Sequence, residues 1–278
     1  MDENAFTLAS EGKTKKIWRS KADPSLCFVV STDHMTAGDG AREAVFAGKG
    51  ELSTKVSSNV FRYLARCHPG IPQAFIKQVS PTIFASAYCD MLPLEIVGRF
   101  KAGAKSSYLK RFPDVPAGAE FPKPVVELFL KTSGRQYRTY QLPCDDPYIR
   151  PFKTARGYEV YLPNKPLRLD NRLLRVSQEE LGLKEGELPD VLRLAYDLGL
   201  ALRGMWKSVG TELEDFKCEV GRDQKGNILL ADVLDHDSWR IMRSGVDLSK
   251  QPFRDGAPED VVMEGFRLAT LLSERFPA

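Results

Sequence analysis

The sequence predicts an α+β protein, with strands and helices mixed but no repeating βαβ rhythm. Short apolar or alternating runs bounded by turn residues read as strands, through the first half of the chain and again near residues 216–234. Longer stretches place apolar residues on one helical face instead. Neither GxGxxG nor GxxxxGKS/T occurs, so neither of those nucleotide-binding loops is expected.

In chain order, Leu8 to Trp18 is broken by a Glu11-Gly12 turn signal, and Leu26 to Ser31 (LCFVVS) is a strand candidate. A helix is expected from about Ser53, whose hydroxyl can cap it, with Val56, Val60, Phe61 and Leu64 on one face and Pro69-Gly70 as the stop. Thr82 to Tyr88 and Glu95 to Phe100 read as strands separated by a Met91-Leu92-Pro93 corner, and Val125 to Leu130 as another. Residues Thr132 to Arg175 show no sustained period and are expected to be a long, partly ordered insertion. Pro189 suits a first helical position, followed by a buried face from Leu192 to Val209 and a stop at Gly210. Phe216 to Val220 and Ile228 to Leu234 form a hairpin around Asp223-Gly226. A last helix starts at Pro258, with Glu259 and Asp260 favouring its positive end.

A chain of 278 residues has room for one large domain or two lobes. Forty basic against 37 acidic residues give a net charge of only +3, so nucleic acid is not expected as a partner. Five scattered cysteines and three distant histidines argue against a disulfide framework or a local zinc site. There is no signal-peptide layout and no apolar run near the roughly 20 residues of a membrane helix. The expected setting is a reducing cytoplasm and the expected partners are small molecules, with homo-oligomerisation left open.

Three constellations could carry chemistry. In Glu11-Gly12-Lys13-Thr14-Lys15-Lys16 a turn glycine allows close backbone approach to a phosphate. Lys13 and Lys15, two apart, would share one face of a strand and could clamp a triphosphate; a solvated charged hairpin is the plain alternative. In the second, Phe216, Cys218 and Val220 face one way and Lys217 and Glu219 the other, while Asp232 follows an apolar run. A divalent cation held by Glu219 and Asp232 would relieve the cost of a buried carboxylate, and so would a Lys217–Glu219–Asp232 ion network. The third is Asp235 to Arg240, where Arg240 offers a fork for phosphate or carboxylate. The alternative for Arg240 is an ordinary surface arginine; Arg99 and Arg254 offer the same fork and could equally be structural.

Taken together, EGKTKKIW (Glu11–Trp18), TAGDGAR (Thr36–Arg42), DMLPLEIVGR (Asp90–Arg99), SYLKR (Ser107–Arg111), VELFLK (Val126–Lys131), the long stretch Glu214–Ile241 and FRD (Phe253–Asp255) resemble the SAICAR synthetase family. The resemblance is particularly to the form found in animal bifunctional purine enzymes. The resemblance implies a two-lobed α+β fold with a kinase-like or ATP-grasp-like nucleotide cleft: an N-terminal β-rich ATP-binding lobe over residues 1–92, and a C-terminal α/β lobe over 93–278 that holds the metal and substrate site and the insertion near 132–175. It implies ATP and Mg²⁺ as cofactors and an amide-forming ligase that joins carboxyaminoimidazole ribonucleotide (CAIR) to L-aspartate through an acyl phosphate.

By the same resemblance, Lys13, Lys15 and Lys217 meet the ATP phosphates, and Met91 and Leu92 lie in the linker beside the adenine. Glu219 and Asp232 are the Mg²⁺/ATP carboxylates. Lys217, Asp232 and Lys131 belong to the catalytic centre. Arg99, Ser106 or Ser107, and Arg240 hold the substrate phosphate, while Asp39, Arg42 and Arg254 line the substrate side. Two stretches depart from the family pattern. Ala102 to Tyr108 replaces a compact Gly-Ser pair, and Thr132 to Thr139 replaces a short acidic loop before Asp145-Asp146-Pro147. These departures favour one alternative, a specialised paralogue acting on a related heterocyclic carboxylate with a different amine. A nucleotide-binding protein without ligase activity is a further alternative, which the retained lysines and carboxylates disfavour.

Overall fold

A computed structural model describes residues 2–38, 41–151 and 157–277. The chain opens with β1 (Phe6–Glu11), β2 (Lys15–Ser20) and β3 (Leu26–Ser31), then the short pair β4 (His34–Ala37) and β5 (Arg42–Val45). Helix α1 (Lys49–Cys67) and strands β6 (Phe75–Ser80) and β7 (Ile83–Ala87) follow. Next come β8 (Asp90–Lys101), α2 (Ser107–Arg111), β9 (Glu120–Leu130) and the small hairpin β10 (Gln136–Tyr137) and β11 (Tyr140–Gln141). Then follow β12 (Tyr148–Pro151), β13 (Gly157–Tyr161), β14 (Arg172–Ser177), α3 (Glu187–Ser208) and β15 (Glu212–Arg222). The chain ends with β16 (Ile228–Ala231), β17 (Trp239–Arg243), β18 (Val246–Asp247), α4 (Gln251–Arg254) and α5 (Glu259–Ser273). The fold is α+β, as the sequence pattern predicts.

Contacts group the chain into two compact units. Residues 1–90, 201–213 and 221–278 form one, and residues 91–200 with 214–220 form the other. The last third of the sequence thus rejoins the first, so residues 93–278 are not a compact body of their own.

The first unit holds an antiparallel sheet in the order β1-β2-β3-β7-β6. A core of Met35, Phe46, Phe253, Val262, Met263 and Phe266 lies in the same unit. Helix α1 begins four residues before Ser53, because its cap comes from elsewhere in the chain. Asp33 accepts hydrogen bonds from Gly48 N at 3.3 Å and Gly50 N at 2.9 Å, and Gly48 takes a left-handed φ of 81°. Ser53 is therefore a buried residue inside the helix.

The second unit is built on a sheet in the order β14-β13-β12-β9-β8-β15. No corner forms at Met91-Leu92-Pro93: β8 runs straight through them. Pro93 lacks an N–H, but its carbonyl accepts Lys131 N at 2.9 Å, and regular pairing starts at Leu94↔Leu130. The expected insertion carries short paired strands among its described residues. Tyr148 pairs with both Phe129 and Tyr161, and Glu159 with both Arg150 and Arg175. Its strands are too short and too polar for a hydrophobic period to reveal them. Gly98 and Gly199 make room for Phe216; a Cβ on Gly98 would lie 2.2 Å from the Phe216 ring and one on Gly199 2.7 Å from it.

All five cysteines are free thiols. No helix among the described residues is long and apolar enough to cross a membrane.

Candidate active site

In the second unit, β15 alternates as expected: Phe216, Cys218 and Val220 are buried, and Lys217 and Glu219 face the other way, half-buried. Glu219 Oε1 accepts Lys131 Nζ at 2.8 Å. The neighbouring Glu95 Oε2 lies 3.3 Å from Lys217 Nζ and 3.7 Å from Lys131 Nζ. Two lysines and two carboxylates thus interlock, Glu95 on β8, Lys131 just past β9, and Lys217 and Glu219 on β15. Burial alone would lower the Lys131 pKa, but Glu219 and then Glu95 outweigh it and raise it above the ordinary lysine range. The ammonium is therefore a fixed positive charge at neutral pH.

Sequence reasoning did not single out Glu95. Its place four residues before Arg99 on one alternating strand was the available signal. Asp146 was also missed as a site residue. Burial raises its carboxyl pKa, opposed by the hydrogen bond from Thr132 N at 3.0 Å; Glu95 adds to the rise, and Lys131 and Lys217 counter it.

The same unit contains a buried ion network. Arg99, only 3% exposed, donates from Nε to Glu127 Oε2 at 2.6 Å and from Nη1 to Asp215 Oδ2 at 2.8 Å. Its Nη2 lies 3.5 Å from Ser107 Oγ. Ser106 is used differently: its hydroxyl caps α2 by accepting Tyr108 N at 3.2 Å. Of the two serines, Ser107 is the one brought to Arg99. Met91 and Leu92 sit on β8, Met91 44% exposed and Leu92 4%.

In the first unit, Lys15 forms an ion pair with Asp232. Asp232 lies one residue past β16, with a left-handed φ of 65°. That conformation is uncommon for a side chain larger than glycine's, though aspartate tolerates it better than most. Lys13 does not share a strand face with Lys15. It lies in the turn between β1 and β2, closed by Gly12 N donating to Lys15 O at 2.9 Å, and is exposed. Strand alternation cannot operate through a turn, so the expected lysine pair is not formed by that route.

Asp237 accepts Lys250 Nζ at 2.9 Å and Arg254 Nη2 at 2.8 Å. Arg42 stacks its guanidinium 4.4 Å over the Phe253 ring and donates to Ala257 O at 3.2 Å. Arg240 is half-buried on β17. Asp39 lies outside the described residues.

Glu219 and Asp232 belong to different units, and each has its own lysine. Among the described residues no group of three or more His, Cys, Asp or Glu forms a metal cage. Hard carboxylate oxygens such as these suit Mg²⁺ rather than zinc, and Mg²⁺ ordinarily keeps waters and phosphate oxygens in its shell. The donor chemistry therefore fits that ion.

Such lysine–carboxylate sets are the kind of chemistry that an enzyme acting on phosphorylated substrates would use. The family model described as SAICAR synthetase matches residues 8–137 and 155–265. Phosphoribosylaminoimidazole-succinocarboxamide synthase of Chloroflexus aggregans is 35% identical over 264 residues, covering 92% of this chain and 90% of that one. The probable multifunctional protein ADE2 of Caenorhabditis elegans is 33% identical, covering 94% of this chain and 55% of that longer protein. A solved SAICAR synthetase (Type-2) in complex with ADP has a TM-score of 0.75 at 27% identity, covering 97% of this chain and 99% of that one. The chain belongs to the SAICAR synthetase family. It is an ATP-dependent, amide-forming ligase.

Proposed function

We propose that the chain condenses CAIR with L-aspartate at the expense of ATP, forming the succinocarboxamide of cytoplasmic purine synthesis. One observation carries the reading: the family match contains every candidate site residue named above from the sequence. The specialised-paralogue alternative is not favoured, because the 35% identical relative is named for this same synthase and is covered over nearly its whole length.

The chemistry follows from the reactants. A carboxylate resists attack by an amine until one of its oxygens becomes a leaving group. Transfer of the γ-phosphoryl of ATP to that oxygen gives an acyl phosphate and ADP. The amine of aspartate, having lost a proton, then attacks the acyl carbon and phosphate departs. In this reading Lys15 and Lys217 hold the ATP phosphates, with Lys13 reaching them from its turn, and Met91 and Leu92 flank the adenine. Lys131 supplies a permanent positive charge beside the transferring group, where fixed charge and positioning do most of the work. Glu219 and Asp232 are the carboxylates that would hold Mg²⁺, which when bound neutralises charge on the phosphates. Arg99 Nη2, Ser107 and Arg240 receive the substrate phosphate. Arg42 and Arg254 face the substrate, with Arg42 acting partly through the backbone it already holds.

The test is ADP release in the presence of ATP, Mg²⁺, CAIR and L-aspartate, omitting each in turn. Dependence on all four, with the succinocarboxamide seen by mass, is the expected result. ADP release that ignores aspartate, or amide formation with another amine, would overturn the reading.

A further inference from the structure

Arg111, on α2, is completely buried, and every guanidinium nitrogen is committed. Nε and Nη2 donate to Glu127 Oε1 at 3.0 and 2.7 Å, Nη2 also reaches Oε2 at 2.8 Å, and Nη1 donates to Pro163 O. The guanidinium lies 5.0 Å from the ring centres of both Phe129 and Tyr148. Glu127 and Pro163 take four of its five N–H donors, and the side chain has no exposed surface to offer a ligand. Burial of this cation lowers its pKa and Glu127 counters that fall, so the two charges depend on each other.

Glu127 is the same carboxylate that receives Arg99 Nε. Arg99 therefore faces two acids, Glu127 and Asp215, and extends only Nη2 toward Ser107. With Arg99 as the sole cation, these acids would give the group a net negative charge and repel a phosphate. Arg111 brings the four groups to neutrality. Its two-pronged grip also fixes the plane of Glu127, and through it the direction of the Arg99 fork.

We infer that Arg111 is a positioning residue for the nucleotide substrate: acting through Glu127, it keeps Arg99 aimed at Ser107 and able to accept a phosphate. The inference rests on the reading that Arg99 and Ser107 receive the substrate phosphate. A merely structural Arg111 would support the fold without distinguishing one substrate from another.

The experiment compares kcat/KM for CAIR with that for its dephosphorylated riboside, in wild type, R99Q, R111K, R111M and the R111M/E127Q double variant. R99Q tests the underlying reading: a loss of about tenfold or more on CAIR, with the riboside little changed, supports it. R111M should then raise KM for CAIR by a similar factor with kcat and the riboside little changed, and R111K should fall between. The double variant removes opposite charges together and should recover part of the CAIR preference. If R111M does not fold, R111K and the double variant still decide the matter. Selective loss in R99Q, combined with equal losses on both substrates or none in the Arg111 variants, would overturn the positioning role. A non-selective R99Q would overturn the phosphate reading, and the role of Arg111 with it.

Discussion

Asp232 combines a left-handed backbone, a lysine partner and a position at the end of an apolar strand. Asp232→Asn keeps the shape and removes the charge. Turnover should fall by about a hundredfold or more while the thermal midpoint stays close to wild type. Near-normal turnover at saturating Mg²⁺ would remove Asp232 from the metal and phosphate chemistry. Glu159 gives a separate prediction through pH. The Tyr161 hydroxyl, then the Arg150 guanidinium, hold its carboxyl down to about 2 from an ordinary 4.5. A folded-state pKa below the unfolded one stabilises fully above the unfolded value and loses that contribution as pH falls through the folded value. Wild type should therefore lose stability between about pH 4.5 and 2. In Glu159→Gln that acid-side slope should flatten, as read by urea denaturation at a series of pH values. An unchanged slope would exclude Glu159 as its source. At this scale the sequence made the chemistry of the site legible but not its partners. Lys217, Glu219 and Asp232 stand out by type and spacing, whereas Glu95 meets the lysines only through pairing of distant strands and Asp146 lies in a loop held by Thr132.

Phe216 fixes strand β15, and with it the facing of Lys217 and Glu219. Its ring occupies space that exists only because Gly98 on β8 and Gly199 on α3 lack side chains. Gly98→Ala would force a methyl to 2.2 Å from that ring. It should destabilise by about 1–3 kcal/mol or more and reduce activity through displaced Lys217 and Glu219. Chemical denaturation alongside turnover checks this, and wild-type values in both would contradict the packing account. Elements set by local pattern were legible: β3 spans the run read as a strand, and α5 begins one residue past its proline. Elements set by distant contacts were not. Helix α1 takes its cap from Asp33, so Ser53 misplaces its start. Strand β8 passes through Pro93 because only the carbonyl is needed there. The short strands of residues 148–177 are held by one another and by β9.

For the whole molecule, the sequence order conceals how the compact units are composed. A single cut near residue 92 would separate Lys15 from Asp232, yet the two are an ion pair within one unit. Their sequence separation of 217 residues leaves no local signal that joins them. The central claim concerns the enzyme as a whole: ATP activates a carboxylate as an acyl phosphate, and an amine then displaces the phosphate. The most direct measurement uses CAIR labelled with ¹⁸O in its carboxylate and mass analysis of the released phosphate. One labelled oxygen in each phosphate, with ADP and amide formed in equal amounts, is the predicted result. Unlabelled phosphate accompanying full amide formation would contradict the account.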